Sequence, residues 1–267
     1  MRLSPFGLLD NWRAPAPDPR KVAWIGASDY AHRGLHGAPH DPALPENSLA
    51  AFEAAIERGL GIECDVQRSS DGQAMVFHDW ELDRLTAQSG AVAQRSAEQL
   101  GAIPLMGGTG TIPSLRKVLA LVAGRVPVLI EIKSRRDAPV PALCLAVRRV
   151  LEGYTGPNAV MSFDPRVSRW FHRYSSHTVR GLVVSEGEDR AVPGKIRRRL
   201  ALWHAKPDFL AYDVRDLPSR FAAAQRARGL PVATWTVRTA EHRDRASRHA
   251  DADIAEGEGV APREDAA

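Results

Sequence analysis

Cysteine is scarce. Cys64 and Cys144 are the only two in 267 residues, too few for a disulfide framework and without the paired spacing of a cysteine-built metal site. No apolar run approaches the roughly 18 residues of a membrane span. The first ten residues hold one arginine and a brief apolar patch broken by Pro5 and Gly7, which is not the pattern of a secretory signal. Charge of one sign is also in short supply. Lys+Arg 36 against Asp+Glu 32 leaves a net +4, a small excess for a nucleic-acid binder. These absences predict a cytoplasmic protein with no membrane span and no nucleic-acid partner. The basic run Lys195-Ile196-Arg197-Arg198-Arg199 reads as a solvated helix face, with contact to phosphates or peripherally to a membrane surface as the other option. Gly107-Gly108-Thr109-Gly110-Thr111 lacks the lysine of a phosphate-binding loop. A Gly-x-Ser-x-Gly elbow is missing too, which removes that serine-hydrolase class.

What is present is an ordinary globular composition, 44% hydrophobic and 25% charged, in which strand and helix patterns alternate. Strands are expected near 29–33, 62–66, 126–133, 159–163, 180–184, 209–212, 232–237 and 253–255. A ninth, 74–78, returns antiparallel after the Ser70-Asp71-Gly72 turn. Eight alternating units predict an α/β fold, a closed (β/α)8 TIM barrel with an extra hairpin strand after the second barrel strand; an open doubly wound sheet is the alternative. Residues 29–260 form that domain, preceded by a proline-broken arm over 1–28 and followed by a polar tail over 261–267.

Three carboxylates, Glu63, Asp65 and Glu131, fall where strands must be buried. Buried charge is costly unless paired or bound to metal. Each alone reads as a structural ion pair. Together, near strand C-terminal ends, they suit a hard divalent cation, Mg2+ or Ca2+ with Mn2+ as a further option. The lack of a Cys/His cluster argues against zinc. His32, His36 and His40 sit four apart, but the glycines and prolines around them rule out a helical metal stripe. His32 and His78 are expected to flank the cation as a proton-transfer pair, with Arg33 and Lys133 as positive charge for a phosphate.

The chain resembles the glycerophosphodiester phosphodiesterase family. The motifs are His32-Arg33-Gly34, Pro45-Glu46-Asn47-Ser48, Glu63-Cys64-Asp65-Val66, His78-Asp79, Leu82-Asp83-Arg84, Ile112-Pro113-Ser114-Leu115, Glu131-Ile132-Lys133 and Trp235-Thr236-Val237. The resemblance implies a TIM barrel that uses one divalent cation to hydrolyse glycerophosphodiesters to sn-glycerol 3-phosphate and an alcohol. By position it makes His32 and His78 the general acid/base pair and Glu63, Asp65 and Glu131 the metal ligands. Arg33 and Lys133 would hold phosphate, Trp235 would line the glycerol pocket, and Asn47 would stand near the phosphate or cap a helix. Two places depart from the family pattern, Arg238 and Ile254-Ala255-Glu256-Gly257-Glu258-Gly259; both are expected to lie away from the acid/base and metal motifs and to bear on substrate choice, with Arg238 adding a cation at the pocket rim. One competing reading is a lysophospholipase D acting on a lipid-tailed diester, approached through Phe6, Leu8, Leu9 and Trp12 of the arm. The other is a catalytically silent module that binds phosphate ligands.

Overall fold

A computed structural model describes residues 5–37, 39–41, 43–108, 110–135, 137–187 and 191–260; the expected tail over 261–267 lies outside them. The chain enters through α1 (Pro5–Arg13), the short α2 (Pro19–Val22) and a 3-10 turn over Ala23–Gly26. The arm is therefore partly helical, although its prolines pointed to irregular backbone. Proline is tolerated in the first turn of a helix, where its missing N–H would go unbonded anyway, and Pro19 sits there behind the capping carboxylate of Asp18.

Strand and helix then alternate. The order is β1 (Tyr30–His32), α3 (Leu49–Glu57), β2 (Gly61–Arg68), β3 (Ala74–Val76), α4 (Ala97–Gly101), α5 (Leu115–Val122) and β4 (Val128–Ile132). It continues α6 (Pro141–Leu151), β5 (Asn158–Ser162), α7 (Pro165–Tyr174), β6 (Val179–Val184), α8 (Val192–Ala205) and β7 (Phe209–Asp213). The last units are α9 (Arg220–Arg226), β8 (Val232–Val237), α10 (Ala240–His249) and β9 (Ala252–Ala255). Eight strands pair in parallel and close through β1, which bonds both β9 and β2. β3 pairs antiparallel with β2 outside the barrel. The structure is thus a TIM barrel with one added hairpin strand.

Alternation along β2 decides which side chains meet. Ile62, Cys64 and Val66 face outward into the layer where Phe52 of α3 and Leu115 and Val118 of α5 pack. Glu63 and Asp65, on the opposite face, point into the barrel mouth. The strand N-terminal end is plugged by the arm: Val22 and Ile25 pack with Tyr30, Leu129, Ala159, Phe209, Ala233 and Ala252. Tyr30 Oη donates to the carbonyl of Ile25 at 3.1 Å. With eight strands there is room inside for side chains only, so this plug makes the floor a packed core.

Candidate active site

Strand register builds the acidic centre. His32 pairs in register with Glu63, and Asp65 with Glu131, which stacks the three carboxylates on adjacent parallel strands. One oxygen from each of Glu63, Asp65 and Glu131 lies within 4.8 Å of the others. Lys133 Nζ bridges two of them, 3.1 Å from Asp65 Oδ1 and 2.9 Å from Glu131 Oε1. Arg33 Nε stands 3.1 Å from Asp65 Oδ2, and its Nη1 donates to Glu46 Oε1 at 2.9 Å. Both cations line the mouth cavity, and both are turned onto carboxylates.

The electrostatics follow from burial and crowding. Burial pushes the Glu63 carboxyl well up, and the charges of Asp65 and Glu131 add to it. Burial also raises Glu131, against the pull of Lys133. Asp65 is buried as well, yet Lys133 and then Arg33 hold it below the usual carboxylate range. Glu63 Oε1 is buried without a hydrogen-bond partner. An orphaned anionic oxygen among crowded carboxylates is what a bound cation would satisfy, and an all-oxygen donor set fits a hard divalent ion.

Each histidine has a carboxylate behind it. His32 lies at the end of β1, with Nδ1 hydrogen-bonded to Glu256 Oε2 and Nε2 4.0 Å from Glu63 Oε2. Burial lowers the His32 pKa, so the ring stays neutral; Glu256 is held well below its usual value despite its own burial, by the hydrogen bond from His32, with the His36 ring and the Arg238 guanidinium beside it. Nδ1 therefore carries the proton and donates to Glu256, leaving the Nε2 lone pair toward Glu63. His78 Nδ1 lies 2.7 Å from Asp79 Oδ1. Its loop is pinned by Gln67 Nε2, which donates to the carbonyls of Phe77 at 2.8 Å and Asp79 at 2.6 Å.

The turn between β1 and α3 has little freedom. Arg33 has φ 57°, a left-handed conformation that non-glycine residues seldom adopt. Gly34 follows at φ 83°, where an added Cβ would come within 2.8 Å of the Ala51 backbone. Asn47, also left-handed at φ 58°, does not cap α3. The cap is Ser48, whose hydroxyl accepts from Ala51 N at 3.1 Å. Asn47 Nδ2 instead donates to Asp65 Oδ2 at 3.0 Å, and Asp65 N donates back to Asn47 Oδ1 at 3.2 Å. Asn47 is a buried strut for a candidate ligand, away from the cavity surface.

A cavity of about 270 Å3 joins His32, His78, Glu63, Glu131, Lys133 and Trp235. Trp235 Nε1 donates to the Ala211 carbonyl at 3.0 Å, and its ring meets Phe163 edge-on at 5.3 Å. All the residues expected at the site therefore gather at one mouth, Asn47 just behind it.

Several partners escaped the sequence. Glu46 takes Arg33 on one side and Arg84 on the other, at 2.9 and 2.8 Å, and Arg84 also bonds Asp79 at 2.5 Å. This chain ties Arg33 to the His78 support, and the hydrogen bond from Arg84 pulls the Asp79 carboxyl down to about 2. Glu46, Asp79 and Arg84 stand in the quoted motifs, so a signal existed, but spacing does not disclose a contact across 38 residues. Arg238 lines the cavity, as a cation at the pocket rim would, but Glu256 is a correction: it bonds His32 and so belongs to the site. β9 lies beside β1, so closing the barrel brings the last strand to the first histidine. His36 is likewise drawn in, its Nε2 3.8 Å from Glu256 Oε2, without any helix.

The arm is a second correction. Asp10 of α1 accepts from Trp203 Nε1 at 2.8 Å and Gln225 Nε2 at 2.9 Å, toward the C-terminal ends of α8 and α9 and thus the barrel floor. Leu8 and Trp12 are exposed there, remote from the mouth; the Phe6 side chain lies outside the described residues. Apolar surface near the mouth comes from elsewhere. A groove of about 850 Å3 between α8 and α9 is lined by Val192, Ile196, Leu217, Pro218 and Phe221, and Arg215 borders both groove and mouth cavity.

The glycerophosphoryl diester phosphodiesterase family profile matches residues 32–257. A glycerophosphodiester phosphodiesterase from Bacillus altitudinis is 34% identical over 158 residues, covering 55% of this chain and 62% of that protein. One from Caldanaerobacter subterraneus is 38% identical over 112 residues, 39% of this chain and 44% of that protein. The matched stretches thus span less than two thirds of those relatives' length. Among solved structures, an Oleispira antarctica phosphodiesterase in complex with the product sn-glycerol-3-phosphate superposes with TM-score 0.73 at 22% identity, covering 85% of this chain and 92% of that one. A glycerophosphodiester phosphodiesterase structure from Agrobacterium tumefaciens gives TM-score 0.65 at 22% identity, covering 86% of this chain and 95% of that one. At these identities the likeness is one of fold.

Proposed function

This chain belongs to the glycerophosphoryl diester phosphodiesterase family, and from that premise we propose that it hydrolyses glycerophosphodiesters to sn-glycerol 3-phosphate and an alcohol. The observation that carries the reading is the meeting of the Glu63, Asp65 and Glu131 oxygens with two carboxylate-backed histidines around one cavity. Glu63, Asp65 and Glu131 would hold a divalent cation, which would supply positive charge to offset that of the phosphodiester. Arg33 and Lys133 add fixed charge beside it, in a mouth where burial from water strengthens each interaction. His32, with its Nε2 lone pair toward the acidic centre, takes the proton of the nucleophile. His78 delivers a proton to the departing alcohol oxygen, and Asp79 stabilises the imidazolium that precedes the transfer. Trp235 walls the glycerol end. The test is release of glycerol 3-phosphate from glycerophosphocholine with Mg2+, Mn2+ or Ca2+ and its loss with chelator. Tight binding without turnover, metal present, would instead make the protein a binding module.

The groove beside Arg215 favours a second reading, hydrolysis of a lipid-tailed diester. The mouth cavity of about 270 Å3 falls below the ~300–1,000 Å3 usual for ligand pockets, so a longer substrate must extend beyond it. Faster hydrolysis of lysophosphatidylcholine than of glycerophosphocholine, reversed by Ile196→Glu, would select this reading.

A further inference from the structure

His36 plays no part in the chemistry above, yet it converges on the carboxylate that His32 uses. A ring nitrogen of His32, a ring nitrogen of His36 and an oxygen of Glu256 lie within 4.8 Å of one another. His32 Nδ1 and His36 Nε2 both approach Glu256 Oε2, the latter at 3.8 Å. His36 Nε2 is buried and has no hydrogen-bond partner, so its ring nitrogen is aimed at this cluster without a protein group to satisfy it. Arg238 Nε holds the other oxygen, Glu256 Oε1, at 2.5 Å, which fixes the carboxylate plane and leaves Oε2 toward the imidazoles. The side chains of His36 and Glu256 are each 19% exposed, so an ion can arrive from solvent without opening the core.

Two imidazoles and one carboxylate form a softer donor set than the three carboxylates beside them. Imidazole nitrogen suits zinc, and zinc sites with three protein ligands commonly leave a fourth position to water. Ligand atoms about 2.0–2.2 Å from a tetrahedral zinc stand roughly 3.4 Å apart, so the cluster needs only small side-chain adjustment.

We propose that His32, His36 and Glu256 form a second metal site at the barrel mouth, that it takes Zn2+, and that filling it inhibits the enzyme. The inhibition follows from tautomer balance. Empty of metal, the His32 proton sits on Nδ1 and Nε2 carries the lone pair. Coordination through Nδ1 moves that proton to Nε2, with none gained or lost, and Glu256 exchanges an N–H donor for the ion. Nε2 then has no lone pair with which to take a proton from the nucleophile. Zinc binding itself does not depend on the hydrolytic reading; the inhibitory consequence rests on it.

The experiment is calorimetric titration of the full-length protein with Zn2+ under saturating Mg2+, beside Zn2+ titration of Mg2+-supported glycerophosphocholine hydrolysis. His36→Ala should bind one Zn2+ fewer per chain than the wild type, keep its Mg2+-supported turnover and lose the zinc inhibition. Glu256→Gln should lose the same bound ion, and Glu63→Gln should keep it; circular dichroism melts check that each variant is folded. Wild-type zinc stoichiometry and affinity in both His36→Ala and Glu256→Gln would overturn the site, as would loss of all zinc binding in Glu63→Gln. If no diester is hydrolysed, the hydrolytic reading fails while calorimetry still decides the site. Zinc bound through His36 without inhibition would overturn the tautomer argument alone.

Discussion

The two ends of the barrel handle buried charge in opposite ways. At the mouth, Glu63, Asp65 and Glu131 face the two cations Arg33 and Lys133, leaving acid in surplus and one Glu63 oxygen unsatisfied. At the floor, a single buried carboxylate, Asp208, takes both Lys21 at 2.8 Å and Arg180 at 3.1 Å. The mouth holds charge that a ligand can relieve, and the floor closes its charge within the protein. One place at the floor breaks the rule: Asp253 is pushed up to about 7 by burial and by Asp29 beside it. Removing an acid should therefore have opposite consequences at the two ends.

The sharpest version is Glu63→Gln. We expect turnover to fall by ~10²-fold or more while the melting temperature of the metal-free protein rises, because crowding is relieved. A lower metal-free melting temperature would break the comparison at its strongest point. Next in size, His32→Ala and His78→Ala should each lower turnover by roughly 10²–10⁴. A p-nitrophenyl diester, whose leaving group needs no proton, should restore much of the rate to His78→Ala and little to His32→Ala. Equal rescue of the two would cancel the assignment of acid and base.

At the floor the pattern should invert. Asp208→Ala leaves Lys21 and Arg180 facing each other without a counter-ion, and should cost about 3–5 kcal/mol of stability with kcat/KM unchanged for the folded protein. Measured by urea unfolding, a change below 1 kcal/mol (~1 in the surface-pair range) would show that solvent already screens this trio. Asp253 gives the smallest effect. Its folded pKa lies above the unfolded value, so its contribution to stability is complete below about pH 4 and disappears as pH rises through about 7. Asp253→Asn should remove that slope and stabilise the protein at pH 8 by ~1–3 kcal/mol, discounted for partial exposure. Identical pH profiles would place the Asp253 titration elsewhere.

Much of the frame was legible because periodicity reports burial. The expected strands at 180–184, 209–212 and 232–237 fall on β6, β7 and β8. Period-two alternation along β2 puts Glu63 and Asp65 on one face whatever their partners. Contacts closed by the barrel were not legible. Glu256 reads as distant from the His32 motif because it lies 224 residues beyond it in sequence, and only the pairing of β9 with β1 cancels that separation. His36 was set aside for want of a helix, although a loop can aim a ring as well as a helix can. The arm was credited to the mouth on its apolar residues alone, since composition does not say which end of a barrel a segment covers.

The sequence by itself determined the alternation of strands and helices, the burial of three acids and the types of group available for chemistry, because each is written in local spacing and residue identity. Tertiary structure decided which carboxylate backs which histidine, that Asn47 holds Asp65 rather than a helix end, and which barrel end the arm plugs. Those are distances between segments far apart in the chain. They are set by strand register and ring closure, which no local pattern encodes.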